Sequence, residues 1–366
     1  MCIAFFLWEH PQLPDLQLVA LFNRDEVLGR PTAASHFWQD RPCILGGRDL
    51  VAGGTWLCIS RRGRAAFLTN FRELRDAQRP GAPSRGALPV DCVTSEAGAE
   101  AFLEGLDSEA YPGFNLVGID LREGSMLYLC NKRGGQVARL PPGLHGVTNG
   151  QMYPRWPKVE EGCRQLQQLV ERGAFHAASS NRKGRSGRSS VGPDGHDTSG
   201  SAGTATASDP GAAAPGDDSG RAMAGSSPCT SAGGIGSASV PWEELFGLLS
   251  DDRLLERDPE RLPKTGYGAE FEARVSGIFV QPVDTPWGPF GTRSKIVLAV
   301  WRDGSAELRE EYLAQDGSWQ QVQHAFRVCT HSAGCSVCGA SRGEAIAQSP
   351  DGRIRGQDMH AQQQTG

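Results

Sequence analysis

The chain has 366 residues, yet one region dominated by Gly, Ser and Ala makes the length overstate the folded core. Apolar residues at 39% and a mean hydropathy of -0.38 still supply a sizeable hydrophobic centre. A net charge of -5 without a long basic block excludes a general nucleic-acid binder, because neutralising phosphates requires clustered Lys and Arg. We therefore expect a globular protein whose partners are small molecules or proteins.

Short segments rich in β-branched and aromatic residues dominate the ordered part and predict strands. In chain order they are 2–8, 17–23, 56–61, 64–70, 114–120, 125–131, 276–281, 295–301, 306–313 and 322–328. Arg62-Gly63 is the predicted hairpin turn between two of them. Helical spacing of apolar residues predicts helices at 95–106, 158–170 and 242–249. Strands come first and last with helices between them, which predicts the α+β class, with antiparallel sheets covered by helices.

Two segments have the composition of disordered chain. Residues 177–240 contain no aromatic residue and no Leu, so they cannot bury enough apolar area to offset the entropy of ordering. Residues 339–366 also lack aromatics and end in a Gln-rich tail. We therefore expect 1–176 and 241–328 to form one domain, 177–240 to be a disordered insertion, and 329–366 to be a cysteine-containing segment with a disordered tail.

The start of the chain and the cysteines predict the cellular compartment. The apolar run at 2–8 has no positive region before it and is too short for a membrane span or a signal peptide. The 10 cysteines are spread irregularly, as expected for reduced thiols in a reducing compartment. We expect a cytoplasmic protein without a transmembrane segment.

Cys2 is the first candidate for chemistry. A small second residue favours excision of Met1, which would leave a free α-amine on the same residue as a thiol. That amine titrates at about 7.7–8.0, so at neutral pH part of it is unprotonated and can take the thiol proton. The alternative is that Cys2 is simply a small buried apolar residue at the start of a strand.

Polar blocks follow several predicted strands, at the positions where sites are built. They are Asn23-Arg24-Asp25-Glu26, Gly53-Gly54-Thr55-Trp56-Leu57, Leu68-Thr69-Asn70, Gly113-Phe114-Asn115-Leu116, His145-Gly146-Val147-Thr148-Asn149 and Gly291-Thr292-Arg293. In this order, after a cysteine at position 2, they resemble the NRDE-domain family, also known as transport and Golgi organisation protein 2. The resemblance extends from Met1 to about Val328.

The resemblance implies a fold and a set of site residues. The family is similar to the N-terminal nucleophile (Ntn) hydrolases, whose αββα sandwich stacks two antiparallel sheets between helical layers. Bile-salt hydrolases and penicillin V acylases are the chemical relatives it suggests. The positions that match their catalytic pattern here are Cys2, Arg24, Asp25, Asn70, Asn149 and Arg293.

The roles implied for these residues belong to acyl hydrolysis. The Cys2 thiolate would attack an amide or thioester carbonyl, and Asn149 with Asn70 or a backbone N–H would stabilise the oxyanion. Arg24 would lower the thiol pKa, and Asp25 would orient the amine or Arg24. The alternatives are a structural Arg24–Asp25 ion pair, and loop hydrogen bonding by Asn70, Asn149 and Arg293.

One further cluster lies near the end of the chain. Cys329, His331, Cys335 and Cys338 form a C-x-H-x3-C-x2-C pattern, which makes them weak candidates for a metal site. Loose thiols in a tail are the alternative. We expect no required cofactor.

The sequence is compatible with two functions. The resemblance implies a factor in Golgi organisation, protein secretion and haem or lipid trafficking, associated with Golgi or mitochondria and with secretory-pathway proteins. Haem would then be cargo, although the sequence has no Cys-x-x-Cys-His motif. The alternative is an active terminal-Cys amidase or thioesterase acting on an acylated small molecule.

Overall fold

The computed structural model describes residues 2–73, 81–132, 134–176 and 239–328. All but the last two residues of the predicted insertion 177–240 lie outside these ranges, as does the segment 329–366. The predicted disorder there, and the weak metal candidates Cys329, His331, Cys335 and Cys338, are therefore untested. Within the described ranges, no group of His, Cys, Asp or Glu is arranged to hold a metal ion.

Strands dominate the described chain. They are β1 Cys2–Trp8, β2 Leu16–Val27, β3 Thr32–Phe37, β4 Ile44–Asp49, β5 Leu57–Ser60, β6 Arg64–Asn70, β7 Phe114–Asp120, β8 Ser125–Cys130, β9 Val137–Arg139, β10 Gly143–Val147, β11 Phe290–Trp301, β12 Ser305–Leu313 and β13 Trp319–Arg327. The α-helices are α1 Leu88–Thr94, α2 Ala99–Glu104, α3 Pro157–Glu171, α4 Trp242–Leu249 and α5 Ala269–Arg274.

The strands form two antiparallel sheets. The first sheet has six strands in the order β10-β1-β2-β11-β12-β13. The second has seven, in the order β3-β4-β5-β6-β7-β8-β9. The predicted turn at Arg62-Gly63 joins β5 to β6, with Gly63 at a φ of 85° that glycine adopts without strain.

Burial on both faces of each sheet creates four layers. Along β1, Phe6 and Trp8 face the second sheet, whereas Phe5 and Leu7 face α3 and α4, because successive side chains of a strand alternate. Phe6 meets Phe67 of the second sheet edge to face, with ring centroids 5.0 Å apart. The outer face of the second sheet packs against α1 and α2. The predicted α+β class and its αββα sandwich are confirmed.

Two element predictions are wrong. Residues 276–281 are apolar but form no strand: Ile278 and Val280 are fully buried in irregular chain. The helix predicted at 95–106 is too long, because Gly98 has a φ of 95° and α2 covers only Ala99–Glu104. The other predicted strands and the helices at 158–170 and 242–249 are confirmed within a few residues.

Two further observations concern the helices and the cysteines. Among the described helices, none combines the length and the apolar character that a membrane crossing requires. Cys2, Cys58, Cys92, Cys130 and Cys163 are buried and form no disulfide bond. Cys43, by contrast, is disulfide-bonded, so the expectation of uniformly reduced thiols is wrong at that position.

Candidate active site

A small polar pocket opens where β1, β2, β4 and β6 end near one another, and we call it the Cys2 pocket. Its volume is about 140 Å³. It is lined by Cys2, Arg24, Asp25, Glu26, Arg30, Asp49, Ala52, Gly54, Thr55, Trp56, Leu68, Asn70, Ser84, Arg85 and Gly86. Four of the six predicted site residues, Cys2, Arg24, Asp25 and Asn70, therefore line one pocket.

Cys2 lies on the side of the first sheet that faces the second sheet, in the same inter-sheet cluster as Phe6. It is 7% exposed, and its carbonyl accepts a hydrogen bond of 2.8 Å from Thr148 Oγ1. Burial raises the pKa of the thiol above its usual range, while the nearby Arg24 charge lowers it. Desolvation outweighs the charges that lower this pKa, so burial favours the neutral thiol.

Arg24 lies directly opposite Cys2 in the β1–β2 ladder and shares its face of the sheet. Its guanidinium lies 4.2 Å from the centroid of the Trp56 ring and donates to Thr32 Oγ1 and Asp49 Oδ2, both at 2.9 Å. A flat cation held by a ring on one side and by hydrogen bonds at its edge has little freedom to move. Arg24 is thus fixed in orientation beside the thiol.

Asp49 joins two arginines of the pocket. Besides Arg24, it accepts hydrogen bonds from Arg30 Nε at 2.6 Å and Arg30 Nη2 at 3.2 Å. The backbone N–H groups of Val51 and Ala52 donate to the same carboxylate at 3.0 and 2.9 Å. Burial opposes ionisation of Asp49, but these donors outweigh it and hold its pKa below the usual range.

Asp25 projects from the face of the first sheet opposite to Arg24, because the two residues are adjacent in β2. Its Oδ1 accepts a hydrogen bond of 2.7 Å from Thr292 Oγ1. Burial raises the pKa of Asp25, and the charge of Lys158 counteracts this most strongly. The side chain of Asp25 thus contacts Thr292 and lies near Lys158 of α3. This geometry disfavours the predicted orienting of Arg24 by Asp25, and the orienting of the α-amine stays a prediction.

Asn70 and Asn149 are coupled to one another. Asn149 is fully buried and donates from Nδ2 to the Asn70 carbonyl at 2.7 Å. Its own carbonyl accepts from the Arg72 backbone N–H at 2.8 Å. Asn70 lines the Cys2 pocket and Asn149 does not, and Asn149 fixes the end of β6 that presents Asn70.

Arg293 is outside the pocket lining. Its Nη1 donates to the carbonyl of Arg30 and, at 3.3 Å, to that of Val27. Burial and the neighbouring Arg24 charge lower its pKa to about 10. Arg293 therefore holds the loop that carries Arg30, a residue of the pocket lining.

Sequence reasoning missed Arg30, Asp49, Arg85 and Lys158. Arg85 donates to the Gly113 carbonyl at 2.8 Å and lines the Cys2 pocket. Arg30, Asp49 and Arg85 lie in or beside turns, where a charged residue is ordinary. Lys158 did give a signal: it falls on the apolar side of an amphipathic helix and is 3% exposed.

Residues 1–184 and 230–315 match the model of a family described as Transport and Golgi organisation 2. The chain belongs to this family. It is 33% identical over 181 residues to the transport and Golgi organization 2 homologue of Mus musculus, a match that covers 47% of this chain and 65% of that protein. It is 34% identical over 183 residues to the Bos taurus homologue, covering 47% and 66%.

The Drosophila melanogaster transport and Golgi organization protein 2 is 29% identical over 189 residues, covering 47% of this chain and 65% of that protein. This family member thus aligns with about two thirds of the length of its curated relatives. Two solved structures are similar at 9% identity. One is a Caenorhabditis elegans N-acylethanolamine-hydrolyzing acid amidase ortholog, with a TM-score of 0.33 and coverage of 50% and 88%. The other is a mutant Clostridium perfringens conjugated bile acid hydrolase, at 0.34, 90% and 98%.

Proposed function

We propose that this chain acts in transport and Golgi organisation, the role for which its relatives are named, through hydrolysis of an acylated small molecule in the Cys2 pocket. The cellular part rests on family membership alone. One observation supports the chemical part: the Cys2 thiol lies in a polar pocket directly opposite the fixed guanidinium of Arg24. Reactive cysteines typically lie in electropositive surroundings that a substrate can reach.

The proposed reaction begins after Met1 is removed, when the α-amine of Cys2 serves as the base. The sulfur attacks the acyl carbon, the C–N or C–S bond breaks, and the thiol proton passes through the amine to the leaving group. Water then cleaves the Cys2 thioester and regenerates the thiol. Because the resting thiol is neutral, proton transfer to the amine has to accompany the attack.

The charges of the pocket lining bear on the substrate: three arginines, Arg24, Arg30 and Arg85, stand beside three carboxylates, Asp25, Glu26 and Asp49. Asp49 is the shared partner of Arg24 and Arg30. Arg85 is charge-balanced mainly by Glu73, which lies outside the lining, and by Glu26. A substrate carboxylate would therefore bind at Arg85, since arginine binds carboxylates through paired hydrogen bonds and the other two guanidiniums already share Asp49. We propose a short N-acyl amino acid or a small acyl thioester as the substrate class.

The size of the pocket bears on the haem or lipid cargo expected from the resemblance. About 140 Å³ is well below the roughly 300–1,000 Å³ of pockets that enclose drug-sized ligands. The Cys2 pocket has room for the reactive end of a ligand but not for a haem macrocycle. A haem cargo, if the protein carries one, would bind elsewhere.

The test compares Cys2→Ser with Cys130→Ser in the purified full-length chain. Both cysteines are 7% exposed and lie in strands, so the pair separates chemistry from packing. Hydrolysis of a panel of N-acyl amino acids and acyl thioesters is followed by release of amine or thiol. We expect turnover to be lost in Cys2→Ser and kept in Cys130→Ser. Equal turnover in both variants would refute the proposed hydrolysis.

The second candidate is a non-catalytic scaffold that binds its ligand in the same pocket. The neutral Cys2 thiol and the Asp49-paired arginines favour it, because binding an anion requires no thiolate. Cellular rescue separates the two. A Cys2→Ser chain that restores a deletion phenotype as well as wild type supports the scaffold, while an Arg24→Gln chain that fails to restore it shows that the pocket is still needed.

A further inference from the structure

We propose that a second cavity, at the start of α3, binds a small organic anion with an apolar body. We call it the α3 cavity; its volume is about 310 Å³. It lies between the N-terminus of α3 and the segment 256–276, and none of its lining residues lines the Cys2 pocket. The proposal goes beyond the hydrolysis proposed above and does not depend on it.

Two ion pairs in the lining neutralise themselves. Arg72 forms a two-pronged pair with Glu272, and both side chains are less than a tenth exposed. Arg261 pairs with Glu256 at 3.0 Å. These four residues therefore contribute structure to the wall and little net charge.

The remaining cations of the lining are Lys158 and Arg155. Lys158 is 3% exposed and donates to the Val275 carbonyl at 3.2 Å, which engages one of the three donors of its ammonium. Arg155 donates from Nη2 to the Leu144 carbonyl at 3.1 Å, while its buried Nε has no hydrogen-bond partner among the described residues. Burial lowers the pKa of Lys158, and the charge of Asp25, which is outside the lining of the α3 cavity, opposes this shift. Donors thus remain available on both cations.

The helix end adds to this positive potential. α3 has 15 residues and begins at Pro157, and the preceding Trp156 makes no side-chain capping hydrogen bond. The backbone N–H of Lys158 is one of the first-turn donors without a helical acceptor. An anion beside Lys158 would meet that donor, the ammonium and the positive end of the helix dipole together.

Apolar side chains complete the lining and define the rest of the ligand. They are Trp156, Leu262, Pro263 and Val275, of which Leu262 and Val275 are buried. A cavity of this size reaches the lower end of the range for small-molecule sites, and few polar groups in an apolar wall are typical of such sites. The ligand class is a compact aromatic or aliphatic molecule with one carboxylate or phosphate.

The experiment is calorimetric titration of the full chain with benzoate, phenyl phosphate and neutral benzamide. We expect one of the two anions to bind and benzamide not to; which anion binds decides between carboxylate and phosphate. Lys158→Met and Arg155→Gln should each weaken binding by roughly tenfold or more, since each removes a charge-assisted hydrogen bond. Arg164→Gln, on the exposed face of α3, is the matched control and should leave binding unchanged.

The outcomes that overturn the proposal are specific. Binding of neither anion, or equal binding of benzamide, excludes an anion site. Loss of binding in Arg30→Gln but not in Arg155→Gln would locate the anion in the Cys2 pocket instead. If Lys158→Met fails to fold, as judged by circular dichroism, Arg155→Gln alone decides, because Arg155 is only half-buried.

Discussion

Replacing Asp49 with Asn tests whether one carboxylate holds the wall of the Cys2 pocket together. Asn can keep the bonds from the Val51 and Ala52 N–H groups, but its amide NH₂ then faces Arg24 Nη2 and Arg30 Nε. Two guanidiniums lose their charged acceptor at once. Breaking a buried pair costs about 3–5 kcal/mol, and partial exposure of Arg30 reduces this, so we expect a loss of about 3 kcal/mol in the free energy of unfolding.

Asp40→Asn is the matched control for this variant. Asp40 accepts two hydrogen bonds from Arg48, at 2.7 and 3.0 Å, but its side chain is 50% exposed. An exposed pair of this kind contributes less than about 1 kcal/mol. Urea denaturation at pH 7, with equal slopes for the three proteins, measures both losses. Equal losses for Asp49→Asn and Asp40→Asn would refute the view that Asp49 organises the pocket.

The pH dependence of the same variant gives a second readout. The pKa of Asp49 is held below its ordinary value of 3.8, so its stabilising effect is fully present above that pH and is lost as pH falls through the lower folded value. The difference in unfolding free energy between wild type and Asp49→Asn should therefore narrow below about pH 4. A difference that stays constant to pH 2 would contradict the assignment.

Three further predictions concern packing and titration. Gly162→Ala should cost about 1–3 kcal/mol in denaturant unfolding, because its Cβ would lie 2.1 Å from Phe5 Cζ, whereas Gly247→Ala, with nothing within 4 Å, should stabilise by up to about 1 kcal/mol. Equal changes in the free energy of unfolding for the two variants would contradict the close packing of Gly162 against Phe5. Alkylation of Cys2, followed by peptide mass spectrometry, should accelerate beyond pH 9 because burial raises the thiol pKa; a plateau near pH 7 would refute this. Arg293→Met should lower the urea midpoint because the Val27 and Arg30 carbonyls each lose a charged donor, and an unchanged midpoint would exclude that supporting role.

Alternating and continuous apolar patterns predicted most of the fold because each strand has its own local signal. β1 and β6 agree residue for residue with the prediction. β4 was missed because its Gly46-Gly47 pair has low strand propensity, and the reason for the glycines is a long-range one: a Cβ at Gly47 would lie 2.4 Å from the Trp56 ring. At 276–281 a strand was predicted where none forms. Residues that pack in the core without pairing in a sheet have the same apolar pattern as a buried strand.

In the candidate site too, local contacts were predictable from the sequence and long-range contacts were not. Cys2 and Arg24 were predictable as neighbours because a hairpin of two apolar strands brings the start of one beside the end of the other. The partner of Arg24 was not, since Asp49 is 25 residues away and its position depends on how the second sheet meets the first. The opposite orientations of Arg24 and Asp25 follow from strand alternation and were available from the sequence.

Intact mass of the native purified protein, combined with amine and thiol labelling, tests the central claim most directly. The proposed hydrolase requires Cys2 to be the first residue and its α-amine to be free. We predict a mass lower by one methionine residue, with one reactive amine and one reactive thiol on the N-terminal peptide. Retained Met1 or an acetylated terminus would remove the base, contradict the hydrolase, and leave the binding scaffold.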